Sequence, residues 1–370
     1  MRLTVLFLAE LTRVDSASLR TFDLARALAA RGVEVETVAS GGAMTERYRR
    51  ANLPLEPCRR IGRAFLPYIF NRRIIQLAQF ISPDVVHACN VRLSRLAARL
   101  ARACRARYVV TVNNTTEPHR GIRRSRRCRG VITHSQSVRE WLVNNIDIPK
   151  EIIAVIPNGV EVDPFSVLPA FEVPPAPVQP ADASPPPAPQ RRAPVVGMIS
   201  QSVAGEGHEQ FVEAAAAIAA RLPDAHFVIA GEGTGRFIRE RLQQLGLAHR
   251  TTLVPHFADY RQVLASLDVL MVPSVAEGHS RLILDAMACR RPVVATGIGE
   301  NYEIIRDGET GLLVHRKDAH ALAEKTVALL TDARLRESIT RGGFECVRND
   351  FSLARFATDM ITYYGQVIGD

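Results

Sequence analysis

Ten of the chain's 22 prolines fall between positions 169 and 194, PAFEVPPAPVQPADASPPPAPQRRAP. Proline fixes φ and removes a backbone donor, so this run reads as an extended, semi-rigid linker that splits the chain in two. On both sides short apolar runs alternate with amphipathic ones. Before the linker, Leu3–Ala9, Val33–Ala39, Asp84–Cys89, Arg107–Val112, Gly130–Ser135 and Ile152–Val160 read as strands. Helices are predicted near Leu19–Ala30, Leu93–Cys104 and Ser137–Asn144. After it come strands at Pro194–Ser200, His226–Gly233, Thr251–Phe257, Val269–Ser274, Pro292–Thr296 and Gly311–His315. Helices at Glu209–Arg221, Arg236–Leu245, Tyr260–Ser266 and Ser280–Ala288 intervene. Continuous β-branched runs suit strands buried on both faces, as in parallel sheets. The alternation therefore predicts two doubly wound α/β domains, residues 1–168 and 195–350, joined by linker 169–194. Phe351–Val367 reads as an amphipathic helix, with Phe351, Phe356, Met360, Tyr363 and Tyr364 roughly on one face. Residues 351–370 are expected to pack back on the first domain.

Composition narrows the class. With 47% hydrophobic and 23% charged residues the chain is neither disordered, collagen-like nor a disulfide scaffold. No apolar run approaches the roughly 18 residues of a membrane-spanning helix. Leu3–Ala9 is interrupted at once by Glu10 and Arg13, so it reads as a first strand rather than a signal peptide. The six cysteines are scattered without a C-x-x-C pair, as expected of reduced thiols in a cytoplasmic protein rather than a zinc site. The net charge of +9 is uneven. Residues 1–165 carry 27 Lys and Arg against 14 Asp and Glu, a balance of +13, and residues 166–370 carry 20 against 24, or −4. Basic runs such as Arg120–Arg129 lack interleaved aromatics and no nucleic-acid motif accompanies them, so no nucleic-acid partner is expected.

Specific segments carry more. PSVAEGHSRLILDAMACRRPVVAT (Pro273–Thr296) resembles the donor-binding segment of the family-4 retaining glycosyltransferases, as do IPNGVEVDPF, GMISQSVAGEGHEQFVEAA and DGETGLLV (Asp307–Val314). PDVVHAC and RYVVTV fit the first domain of that family. The resemblance implies the GT-B fold, two Rossmann-like domains facing across a cleft. It also implies transfer of a sugar from a nucleotide-diphosphate-sugar, with retention, to a glycan or lipid-linked acceptor. The expected partners are the nucleotide sugar as co-substrate and the saccharide acceptor, with no further cofactor. No D-x-D occurs, which agrees with a metal-free reaction. By resemblance Glu277 binds and orients the donor sugar. Asp285, eight residues on, accepts from ribose hydroxyls, and Gly278, His279 and Ser280 lie against the diphosphate. Arg281 binds phosphate or pairs with a carboxylate across its helix. Gly299 and Glu303 match the later donor loop. Asn158 and Gly159 are read as a turn in which glycine permits a positive φ. GEGTG (Gly231–Gly235) lacks the third glycine of a dinucleotide fingerprint and reads as a tight turn.

Departures gather on the chemistry. Where the family carries an arginine and a lysine that clamp the diphosphate, this chain has Gln201 and Glu206. Asn113 stands where the family commonly places a histidine near the reacting sugar. Gly299 is followed by Glu300 instead of a second glycine, and Thr12–Ser18 replaces a glycine-rich loop after the first strand. Losing two charge-assisted bonds costs on the order of 1.5–3 kcal/mol each if nothing replaces them. Two readings follow: an enzyme that holds its donor differently, or a catalytically inactive relative serving as a binding or scaffold protein. In the first, the basic half of the chain is expected to meet an anionic acceptor or the inner membrane face through Arg59–Arg63, Arg72–Arg73 and Arg120–Arg129, making a peripheral cytoplasmic protein.

Overall fold

The computed structural model describes residues 3–12, 15–58, 61, 68–115, 122, 128–162, 193–200, 205–231, 235–255, 259–275 and 280–369. Residues 169–192 of the proline-rich linker lie outside the described residues. Two compact units are present: Met1–Glu161 with Phe351–Asp370, and Val162–Asp350.

The first unit runs β1 (Thr4–Ala9), α1 (Ser16–Ala29), β2 (Glu34–Ala39), α2 (Thr45–Arg50), β3 (Leu55–Pro57), α3 (Tyr68–Ile81) and β4 (Val85–Ala88). It continues with α4 (Ser94–Cys104), β5 (Arg107–Val112), β6 (Cys128–Thr133), α5 (Gln136–Trp141) and β7 (Ile153–Val155). The strands form one parallel sheet in the order β3-β2-β1-β4-β5-β6-β7. Val5 of β1 pairs with Val35 on one side and Val85 on the other, so the order reverses at the β1/β4 junction. Every residue of β1 is buried, which is why Val5–Ala9 is an unbroken apolar run. Asp15 caps α1, accepting from the Ser18 amide at 2.8 Å.

The second unit runs β8 (Val195–Ser200), α6 (His208–Arg221), β9 (His226–Gly231), α7 (Arg236–Gln244), β10 (Thr251–Val254), α8 (Tyr260–Ser266) and β11 (Val269–Val272). Then come α9 (Ser280–Ala288), β12 (Val293–Thr296), α10 (Asn301–Ile304), β13 (Leu312–Val314), α11 (Ala319–Thr331) and α12 (Ala333–Asp350). Its parallel sheet has the order β10-β9-β8-β11-β12-β13, reversing at the β8/β11 junction. In open sheets of this kind ligands bind outside the carboxyl ends of the strands at the reversal. That rule directs attention to the loops after β1, β4, β8 and β11.

The chain returns to the first unit as α13 (Leu353–Gly369). Val160 donates to the Phe351 carbonyl at 2.9 Å and its own carbonyl accepts from the Leu353 amide at 2.7 Å. Phe356, Met360 and Tyr364 of α13 are buried, and Tyr364 Oη lies 2.7 Å from His87 Nδ1 of β4. Gly159 corrects one expectation. It is not among the glycines of positive φ; instead a Cβ there would stand 2.4 Å from Phe356 Cβ and 2.9 Å from the Ser352 carbonyl oxygen. Glycine is required by the close approach of α13, not by a turn.

Candidate functional site

At the β8/β11 reversal, two segments far apart in sequence meet. Gly205 and Gly207 both adopt left-handed backbone, at φ 81° and 80°, and Gly207 is the residue that opens α6. The Val275 amide donates to the Gly205 carbonyl at 2.8 Å, and a Cβ on Gly207 would lie 1.8 Å from the Pro273 carbonyl oxygen. The loop after β8 is thus seated directly on the loop after β11. Glu206, held between these glycines, is 6% exposed. Arg316 reaches the same place from beyond β13 and donates to the Val275 carbonyl at 3.2 Å. Sequence reasoning missed this arginine, since no local pattern links it to a loop 41 residues earlier.

Gln201, Glu277, Gly278 and His279 lie outside the described residues, and Ser280 is described only as the first residue of α9. Arg281 and Asp285 follow on that helix, 2% and 1% exposed. Arg281 Nε donates to Asp285 Oδ2 at 2.9 Å, and the Tyr260 hydroxyl donates to the same oxygen at 2.5 Å. Of the two expectations for Arg281, this is pairing across the helix. Asp285 is turned into the unit, and both of these bonds fall on its Oδ2. Burial and the adjacent carboxylate push the Tyr260 hydroxyl well above its ordinary range, which keeps it a donor. Gly299, at φ 44°, and Glu303 sit exposed around the start of α10, away from this buried pair in kind: solvent-facing rather than internal.

The carboxyl end of the first sheet holds a second constellation. At the β1/β4 reversal Asn90 Nδ2 donates to Glu10 Oε2 at 3.1 Å. Asn113, directly after β5, is half-buried; its Nδ2 donates to the Cys89 carbonyl at 3.2 Å and its Oδ1 accepts from Arg20 Nη2. Arg20, on α1 and 8% exposed, also donates from Nη1 to Asn158 Oδ1 at 3.2 Å. A small cavity beside them is lined by Arg20, His87, Cys89, Thr111, His134 and Phe356, among others. His87 bridges Tyr364 Oη and Thr111 Oγ1, both at 2.7 Å. Burial, then the Arg20 charge, lowers its pKa to about 3. Burial and the same arginine lower His134 well below the imidazole range, although its Nδ1 bonds the Ile156 carbonyl at 2.8 Å.

These two histidines set a pH dependence. Both are neutral when folded, whereas unfolded histidine takes up a proton below about pH 6.5. The unfolded state therefore binds more protons below that pH, so the stability is complete above it and declines on acidification. The expected slope is up to about 1.4 kcal/mol per pH unit for each histidine. Urea midpoints measured from pH 7 to pH 5 should fall steadily, and His87→Gln should flatten the fall; an unchanged midpoint over that range would contradict the neutral buried pair.

Two domain families match the chain: residues 17–164 the family described as Glycosyltransferase Family 4, and residues 193–332 Glycosyl transferases group 1. Among solved structures, a glycosyltransferase of Rickettsia africae aligns over 100% of this chain and 99% of its own, with TM-score 0.79 and 20% identity. Anabaena HepE in complex with UDP and glucose aligns over 99% of this chain and 100% of its own, with TM-score 0.79 and 18% identity. The fold is GT-B, and the chain carries one domain of each of these two glycosyltransferase families. Alpha-D-kanosaminyltransferase of Streptomyces kanamyceticus is 31% identical over 47% of this chain and 46% of that protein. The lipopolysaccharide core mannosyltransferase LpsB of Rhizobium meliloti is 27% identical over 46% of this chain and 50% of its own length. The chain thus spans about half the length of these two relatives. Among the described residues no helix is long and apolar enough to cross a membrane.

Proposed function

We propose that the chain transfers a sugar from a nucleotide-diphosphate-sugar to a saccharide or lipid-linked acceptor, with retention and without a metal. The observation that carries this reading is the seating of the Gly205–Gly207 loop on Pro273–Val275 at the sheet reversal of the second unit. It assembles, from two distant segments, the place where open α/β sheets take ligands. Within it Glu277 grips the donor sugar. Gly278, His279 and Ser280, which lead in sequence into α9, bind the diphosphate, since a helix N-terminus favours anions. Gly299 and Glu303 belong to the later donor loop. The departing diphosphate charge needs preorganised donors. Gln201 supplies a neutral one, and Arg316 brings a cation to the segment leading into Glu277. Asp285, through the Tyr260 hydroxyl, also holds α9 to α8, and Arg281 pairs with it along α9. Asn113 acts near the reacting sugar, and no side-chain nucleophile is assigned. The basic balance of residues 1–165 supports an anionic acceptor or membrane surface on the first unit, with Arg72 and Arg73 exposed on α3.

The buried position of Glu206 bears on the alternative, a non-catalytic relative. Glu206 is 6% exposed between two glycines, so its carboxylate is held within the loop and does not project into solvent. The test is a panel of nucleotides and nucleotide sugars, read by thermal shift and by hydrolysis or transfer. The expected result is stabilisation by a nucleotide diphosphate and turnover of at least one sugar donor, abolished by Glu277→Ala. Stabilisation with no turnover by any donor would favour the non-catalytic relative, and neither effect would remove the reading.

A further inference from the structure

The fork of a guanidinium can hold two acceptors at fixed angles, which a lysine ammonium does not do. Arg20 uses its fork in this way. Nη2 donates to Asn113 Oδ1 at the end of β5, and Nη1 donates to Asn158 Oδ1 beyond β7. Asn158 is 4% exposed and Arg20 8%, so the bond between them is shielded from water, while the bond to the half-buried Asn113 lies at the edge of that buried region. Because arginine is only a donor, the Asn113 amide is held with its oxygen toward α1 and its nitrogen toward the Cys89 carbonyl at 3.2 Å. Beside the fork His87 and His134 are kept neutral, and burial pushes the Cys89 thiol up to about 12.

We infer that Arg20 is a positioning residue for sugar transfer, its guanidinium fixing the Asn113 amide in its working orientation by tying it to Asn158. The inference rests on the function proposed above and adds to it a residue that no sequence motif marks. Arg20 sits mid-helix on α1, 93 positions before Asn113. It acts through Asn113 and does not itself meet the reacting atoms.

A double-mutant cycle tests it, using the full chain and whichever nucleotide sugar the wild type turns over. Arg20→Lys keeps the charge and loses the fork. Asn113→Ala removes the amide. Each is expected to lower kcat by about 10–100-fold, the cost of misplacing a group by an ångström, with KM for the donor changed less than about threefold. The combined variant should be no slower than Asn113→Ala alone. Independent, multiplying losses would overturn the inference, as would wild-type kcat in Arg20→Lys. Should Arg20→Lys fail to fold, Asn158→Ala carries the same test, since it removes the second anchor and leaves Arg20 and Asn113 in place. It is expected to lower kcat in wild type and not in the Asn113→Ala background. An active wild type with an unaffected cycle removes this inference alone; a wild type that turns over no donor removes the proposed function and this inference together.

Discussion

Asp285→Ala is expected to cost about 3–5 kcal/mol of stability, the range for removing one partner of a buried ion pair. The carboxylate is 1% exposed and accepts from both Arg281 Nε and the Tyr260 hydroxyl. Its loss leaves a guanidinium 2% exposed without that carboxylate, and a buried hydroxyl without its acceptor. Both effects act on the seating of α9, which lies inside the Pro273–Thr296 segment. Asp285→Asn should lie between wild type and alanine, because an amide oxygen still accepts from Tyr260 but carries no charge. Replacing both partners with apolar residues, Arg281→Met with Asp285→Leu, should recover most of the loss, since a buried pair is often no better than a packed apolar one. The measurement is equilibrium unfolding in urea, with the slope m compared across variants because a chain of two units need not unfold in one step. A loss below about 1 kcal/mol for Asp285→Ala would mean the pair is more hydrated than its burial indicates.

That network also shows how far the sequence could be read. All strands but β3 were legible because a strand buried on both faces is a nearly continuous apolar run, as in Val5–Ala9 and Val195–Ile199, whereas the three-residue edge strand Leu55–Pro57 is only partly buried. Helix α13 was legible from its apolar face. Helices α2, α3, α10, α11 and α12 lie outside the strand–helix alternation read from the sequence. In α12 the pair Gly342–Gly343 looks like a break, yet the helix runs through it. A Cβ on Gly342 would lie 2.2 Å from the Glu309 carbonyl oxygen, so glycine there serves close packing. At the site, residue identity along one helix marked Arg281 and Asp285, but their orientation depends on Tyr260 from a different helix. Spacing puts Arg281 and Asp285 on one face of their helix but does not say which other helix meets that face. Arg20 and Arg316 were hidden for a related reason: each acts on a segment that only the folded sheet brings near.

Gly207→Ala is expected to be nearly as damaging, and a second glycine separates its two causes. Gly207 has φ 80°, a conformation that costs an alanine about 1 kcal/mol wherever it occurs. Gly308 has the same φ of 80°, and a Cβ there meets nothing within 4 Å. Gly308→Ala should therefore show the conformational cost alone. At Gly207 the added Cβ would also stand 1.8 Å from the Pro273 carbonyl oxygen and 2.6 Å from its carbonyl carbon, both main-chain atoms of the loop after β11. A flexible side chain could swing aside, but this backbone is tied in place by the Val275 amide bonded to Gly205. The two loops must separate, for a total loss of about 3 kcal/mol or more. Separation also takes apart the meeting of segments on which the proposed donor site depends. Gly207→Ala should thus lose nucleotide-induced thermal stabilisation, whereas Gly308→Ala should keep it at a slightly lower melting temperature. Equal effects from the two substitutions would show that the loop contact contributes nothing beyond backbone strain, and the assembly of the donor site would then need another support.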